Sequence, residues 1–322
     1  MNLLIYAPAY NRIRDRMPEG VTPLLLHPDE SLTLNGQKVA PEDARFDIAW
    51  ASTDLYTKGP SRANFALLTA AKGLKWFQSG AAGFDHPIFA KVAATGTIMT
   101  RSDAQGIAIA EYVLARTLEA FHDAAGRAAK QAAHDWSRHE FRDVWGTRWL
   151  VIGYGAIGSQ IGIRARAFGA HVTGVRRSPA ASDPADAMIT PDGILAALPD
   201  TDVVVIAAPH SGDTDKLVDA AFLAAMKERS VLVNIARGRL VDEPALLAAL
   251  DAGKPEMAIL DVFEKEPLPP DSPFWDHPRV LLSGHCAADS PMNIARGDEV
   301  FLGNLKRYLK GEPLRLVVDF NS

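Results

Sequence analysis

Apolar and polar positions alternate along this chain in two rounds. In the first, up to about residue 100, apolar runs of strand length fall at Leu3 to Ala7, Thr22 to His27, Phe46 to Ser52, Leu74 to Ser79 and Thr97 to Thr100. Helical spacing appears between them at Pro60 to Lys72 and Pro87 to Ala94. Such alternation predicts a parallel sheet with crossover helices. A proline-free, alanine-rich stretch from about Gln105 to Ala133 then predicts one long helix. Ile109, Val113, Arg116, Thr117 and Ala120 fall near one face of it, as in a spacer or interface element.

The second round is more strongly apolar: Trp149 to Ile152, His171 to Val175, Asp202 to Ala208, Val231 to Ile235, Ala258 to Val262 and Val280 to Ser283. Near-continuous hydrophobicity marks parallel strands buried on both faces. Asp242-Glu243-Pro244 opens a helix with an acidic cap and a proline in the first turn. The Pro267 to Pro273 stretch reads as an ordered surface loop, and no internal repeat is present. The fold class is α/β, with two doubly wound, Rossmann-like domains. At 322 residues, 48% hydrophobic and 23% charged, the chain is long enough for two cores.

A net charge of −5, with no basic run, excludes a nucleic-acid partner. The single cysteine, Cys286, excludes an intrachain disulfide and fits a reducing compartment. The apolar opening Asn2 to Tyr6 is too short for a signal segment, and no run approaches the roughly 18 residues of a membrane span. A cytoplasmic protein is expected.

Gly153-Tyr154-Gly155-Ala156-Ile157-Gly158 reads G-x-G-x-x-G directly after a strand and into a helix. In that context the first glycine makes the turn, and the second admits a pyrophosphate onto the backbone amides of Gly155, Ala156 and Ile157. The third, Gly158, lets helix and strand pack. The end of the next strand carries Arg176, Arg177 and Ser178 where an NAD site usually has an acidic residue. Guanidinium groups suit a 2′-phosphate, so NADP(H) is favoured over NAD(H); two solvated loop arginines are the alternative.

Three more segments end strands: Asn234-Ile235-Ala236-Arg237-Gly238, Asp261 to Pro267, and Leu281 to His285. With Gly80-Ala81-Ala82-Gly83-Phe84-Asp85 and Ala110-Glu111-Tyr112, their order and spacing resemble the D-isomer-specific 2-hydroxyacid dehydrogenase family, especially its glyoxylate/hydroxypyruvate reductase-like members. The chemistry also needs these residue types in its own right. Arg237 can grip a 2-keto acid's carboxylate and polarise its carbonyl. His285 can exchange the proton at the carbonyl oxygen, and Glu266 can orient the imidazole.

The resemblance implies that Arg237, Glu266 and His285 form the catalytic set, and that the backbone of Ala82 and Gly83 holds the substrate carboxylate. It further implies that Ala236 lines the cofactor and Asp261 meets the nicotinamide carboxamide. Residues 98–285 would form the dinucleotide-binding domain, and 1–97 with 286–322 a flavodoxin-like substrate domain. A homodimer is implied, and a likeness to some of the reductases would have Trp136 reach the partner's active site, a role the sequence leaves open. Two other readings stay open. A formate dehydrogenase-like enzyme would carry Gln where Glu266 stands, and a dinucleotide-sensing interaction protein can keep the same three residues.

Overall fold

The structure, a computed structural model, describes residues 1–84, 86–180 and 182–320. It divides into two compact units, one from residues 1–105 with 290–322 and the other from 106–289.

In the first unit β1 (Asn2–Tyr6), β2 (Thr22–Leu26), β3 (Leu32–Leu34), β4 (Gln37–Val39), β5 (Ile48–Ala51), β6 (Trp76–Ser79) and β7 (Ile98–Thr100) make a sheet in the order β4-β3-β2-β1-β5-β6-β7. The five strands from β2 to β7 in that order pair in parallel. The β3–β4 edge is an antiparallel hairpin that the apolar pattern did not predict. Its turn is Asn35-Gly36, both at positive φ (51° and 80°), the pairing that a tight hairpin prefers.

The C-terminal helix Pro291–Leu309 completes this unit's core. Phe301, wholly buried, stacks on Trp50 at 4.1 Å between ring centroids and lies 6.0 Å from Trp76. Arg12 clamps the same helix by donating to Asp54 at 2.6 Å and to Asp298 at 3.0 Å. Asn304 donates to Gln78 at 2.9 Å, tying the helix to β6. Burying one phenylalanine is worth about 1.5–3 kcal/mol, so the returning helix is integral to the unit.

The second unit contains β8 (Arg148–Ile152), β9 (His171–Val175), β10 (Ala187–Ile189), β11 (Val203–Ile206), β12 (Val231–Asn234), β13 (Met257–Leu260) and β14 (Val280–Leu282). Their order is β10-β9-β8-β11-β12-β13-β14, and every pair is parallel. Strand order reverses between β8 and β11, the switch point where such sheets bind ligands at their carboxyl ends. All of β11, with Leu232 and Val233 of β12, has no exposed surface, as expected of strands covered on both faces.

The compact units divide at 105/106 and 289/290, against the expected 97/98 and 285/286, and β7 pairs with β6 in the first sheet. One expectation needs correction. The single helix over 105–133 is two, Gly106–Phe121 and Ala124–Ala132. Asp123 breaks it: at φ 44° it leaves the helical region, and its carboxylate caps the second helix by accepting from Gly126 N–H at 3.1 Å. The short edge strand β10 was also unforeseen.

Candidate active site

The glycine loop leaves β8 and enters the helix Ala156–Ala167 at the switch point. Gly153 sits at φ 94°, and a Cβ there would lie 2.4 Å from the Ala208 nitrogen after β11. A Cβ on Gly158 would lie 2.4 Å from the Gly153 carbonyl oxygen, whereas one on Gly155 would meet nothing within 4 Å. Two glycines are therefore demanded by backbone packing, and the third leaves an open face at a helix start with no side-chain cap. Uncapped amides at the positive end of a helix, under an open face, fit a pyrophosphate. Gly155 and Ala156 are exposed and Ile157 half-buried.

Tyr154, between the glycines, is buried and donates to the Pro184 carbonyl at 2.7 Å, which braces the loop after β9. Burial pushes its phenol up to about 12. At the end of β9, Arg177 and Ser178 are exposed, while Arg176 is paired with Asp183 at 2.9 Å. Asp183 also accepts from Ala180 N–H at 2.8 Å, so it fixes both the loop and the guanidinium. That carboxylate was missed in the sequence.

Arg237, Glu266 and His285 follow β12, β13 and β14, on the same edge of the sheet as the glycine loop. The buried Asn234 shapes the Arg237 loop, accepting from Ala236 N–H at 3.1 Å and donating to the Arg237 carbonyl at 2.9 Å. Arg237 is half-buried, with Nη1 donating to the Ala236 carbonyl at 2.7 Å. A Cβ on Gly238 would lie 1.8 Å from the Phe263 carbonyl carbon, so only glycine lets the Arg237 loop press on the loop carrying Glu266. Glu266 accepts from Phe263 N–H at 3.0 Å through Oε1 and meets His285 Nδ1 at 2.7 Å through Oε2. Glu243 anchors the same loop by accepting from Glu264 N–H at 2.6 Å. Burial, with the Glu264 charge adding to it, pushes the Glu243 carboxyl up.

His285 is half-exposed and sits at φ 52°, a left-handed conformation that costs a non-glycine residue about 1–3 kcal/mol. Asp261 holds it there. The His285 N–H donates to the Asp261 carbonyl at 2.7 Å, while the N–H groups of Cys286 and Ala287 reach the Asp261 carboxylate at 2.9 and 3.0 Å. Ser283 donates to the same carboxylate. Asp261 is 2% exposed, so what this structure gives it is a bracket around the histidine.

In the first unit, Ala82 and Gly83 lie in the loop after β6 and are half-buried. Ser79 accepts from Ala81 N–H at 3.0 Å, Ala81 accepts from Ser102 N–H at 3.1 Å, and Gln105 donates to the Gly80 carbonyl, so the loop's base is pinned. Asp85 lies outside the described residues. Among the described residues no cluster of three His, Cys, Asp or Glu side chains could hold a metal, and no helix is long and apolar enough to cross a membrane.

A family model described as "D-isomer specific 2-hydroxyacid dehydrogenase, NAD binding domain" matches residues 114–287. The D-3-phosphoglycerate dehydrogenase of Methanocaldococcus jannaschii is 29% identical over 260 residues, 79% of this chain and 49% of that protein. Glyoxylate/hydroxypyruvate reductase A of Salmonella typhi is 32% identical over 169 residues, 52% of this chain and 54% of that protein. The matched stretches thus span about half the length of these relatives. Among solved structures, a D-isomer specific 2-hydroxyacid dehydrogenase from Xanthobacter autotrophicus Py2, in complex with NADPH and MES, is similar with a TM-score of 0.77. It is 25% identical, covering 99% of this chain and 97% of that one. The chain belongs to the D-isomer specific 2-hydroxyacid dehydrogenase family.

Proposed function

We propose that this protein is an NADP(H)-using reductase of small 2-keto acids of the glyoxylate or hydroxypyruvate type, yielding D-2-hydroxy acids. The observation that carries the reading is the 2.7 Å contact between Glu266 and His285 Nδ1, at the strand edge that also bears Arg237 and the glycine loop. A carboxylate can only accept, so Nδ1 carries the hydrogen and Nε2 is left to exchange a proton with the substrate. In reduction, Nε2 donates to the oxygen that becomes the hydroxyl; in oxidation it takes that proton back. Arg237 binds the carboxylate and draws electron density from the neighbouring carbonyl. The backbone of Ala82 and Gly83 is the proposed second hold on the carboxylate.

Bound to the helix start at Gly155, Ala156 and Ile157, the nicotinamide cofactor supplies the hydride. Arg176, Arg177 and Ser178 are the groups assigned to its 2′-phosphate, Ala236 to its neighbourhood and the last lone pair of Asp261 to its carboxamide. The Salmonella and Xanthobacter proteins, by their names, support the substrate type and NADPH respectively. The reading includes a cytoplasmic homodimer. The helix Ala124–Ala132, which buries none of its residues, and the fully exposed Trp136 support an interface on that stretch.

The test is a panel of keto acids, with glyoxylate, hydroxypyruvate and 3-phosphohydroxypyruvate, followed by NADPH or NADH absorbance. Turnover is expected with the first two, and Arg176→Ala with Arg177→Ala should weaken NADPH binding far more than NADH. Cofactor binding without turnover of any keto acid would favour the sensor reading, and equal losses of both cofactors would remove the NADP(H) assignment.

A further inference from the structure

The histidine loop has a support that the proposed chemistry does not use. Tyr112, on the helix Gly106–Phe121, lies with its hydroxyl 2.6 Å from the Ser283 hydroxyl. The Ser283 proton is already committed to the Asp261 carboxylate, which can only accept. Ser283 therefore accepts from Tyr112, and the donors run in one direction, Tyr112 to Ser283 to Asp261. Asp261 in turn receives the backbone N–H groups of residues 285, 286 and 287, which bracket the strained φ of His285.

One helical turn beyond Tyr112, Arg116 lies 5.6 Å from the Tyr112 ring centroid, and its Nη2 donates to the Leu282 carbonyl at 3.4 Å. Tyr112 and Arg116 together hold the two residues through which β14 passes into the histidine turn. Burial pushes the Tyr112 phenol above its ordinary value, and the Asp261 charge adds to this, so it remains a donor across the neutral range.

We propose that Tyr112 and Ser283 are positioning residues, which fix through Asp261 the backbone that aims the His285 ring at the substrate. The proposal rests on the reading of His285 as the proton carrier. It also assigns a purpose to a hydroxyl whose ring packs against the apolar core of the second unit. A chain of hydrogen bonds in a buried setting stiffens all its members, so loss of one hydroxyl should be felt at the histidine. The fold itself should survive, because Tyr112→Phe keeps the ring and its packing.

Four proteins test this: the wild type, Tyr112→Phe, Ser283→Ala and Ser283→Thr. The first readout needs no turnover. It is the titration of His285 followed by NMR on histidine-labelled protein, the resonance among nine histidines being assigned by its loss in His285→Gln. The second is the separation of kcat from KM for hydroxypyruvate with NADPH. Tyr112→Phe and Ser283→Ala should each move or broaden the His285 titration and lower kcat about tenfold, with KM within about twofold, as expected of a misaimed proton donor. Ser283→Thr, which keeps the hydroxyl, should restore both.

An unchanged titration and kcat in Tyr112→Phe would overturn the proposal, as would Ser283→Thr behaving like Ser283→Ala. A wild type that turned over no keto acid would instead strike the functional reading, and the titration would still decide the linkage.

Discussion

In the proposed chemistry Glu266 holds Nδ1 of His285 and leaves Nε2 to exchange the substrate's proton. His285→Ala should therefore slow keto-acid reduction by about 10²-fold or more, measured as steady-state kcat with NADPH. Glu266→Gln keeps an acceptor for Nδ1 and should cost less than the histidine itself. A His285→Ala protein with wild-type turnover would reject the proton-transfer role. Candidates for this chemistry could be named from the chain because each stands at or a few residues after a strongly apolar run. Their supports could not. Asp183, Glu243 and Ser283 are short polar side chains of ordinary local pattern, and they gain meaning only from partners that folding brings to them, such as Arg176, the Glu264 amide and Asp261.

At the level of elements, the two loops that follow β12 and β13 touch backbone to backbone at Gly238. Gly238→Ala places a methyl 1.8 Å from the Phe263 carbonyl carbon, and no side-chain rotation relieves that contact. The expected outcome is a loss of about 1–3 kcal/mol in stability together with a fall in turnover, since the Arg237 and Glu266 loops must part. Gly303→Ala is the control: it lies in the helix Pro291–Leu309 with nothing within 4 Å, and should be neutral or stabilising by about 0.5–1 kcal/mol. Thermal melts beside kcat separate the two, and a Gly238→Ala protein as stable and active as the control would refute the packing argument.

The parallel strands were readable because burial on both faces leaves unbroken apolar runs, as in Val203–Ile206. The β3–β4 hairpin was not, since its strands are three residues long and only Asn35-Gly36 betrays them. The break at Asp123 also escaped notice, because it comes from a cap and a positive φ rather than from a proline.

Across the molecule, acid tolerance is set by carboxylates that folding places beside cations. Asp202, at the amino end of the second sheet, accepts from Arg142 at 2.6 Å, Lys227 at 2.8 Å and Arg148 N–H at 2.8 Å. Burial pushes its carboxyl up, but the Lys227, Arg148 and Arg142 contacts outweigh that and hold it below the usual range. A depressed folded value means that its stabilisation is complete above the unfolded value of about 3.9, and fades as pH falls through the folded one. Asp202→Asn should lower the melting temperature at pH 7, and the gap to wild type should narrow below about pH 4. A gap independent of pH would show that packing alone is at stake.

The division of the chain has a further consequence, for the order in which it takes shape on the ribosome. Residues 106–289 form one unbroken stretch and can finish their sheet as soon as they emerge. The earlier-made strands β1 to β7 must wait for the helix Pro291–Leu309, because until Phe301 arrives Trp50 and Trp76 lack the ring they stack on. Strands made before residues 106–289 thus mature after them, with the faces of Trp50 and Trp76 uncovered in the interval.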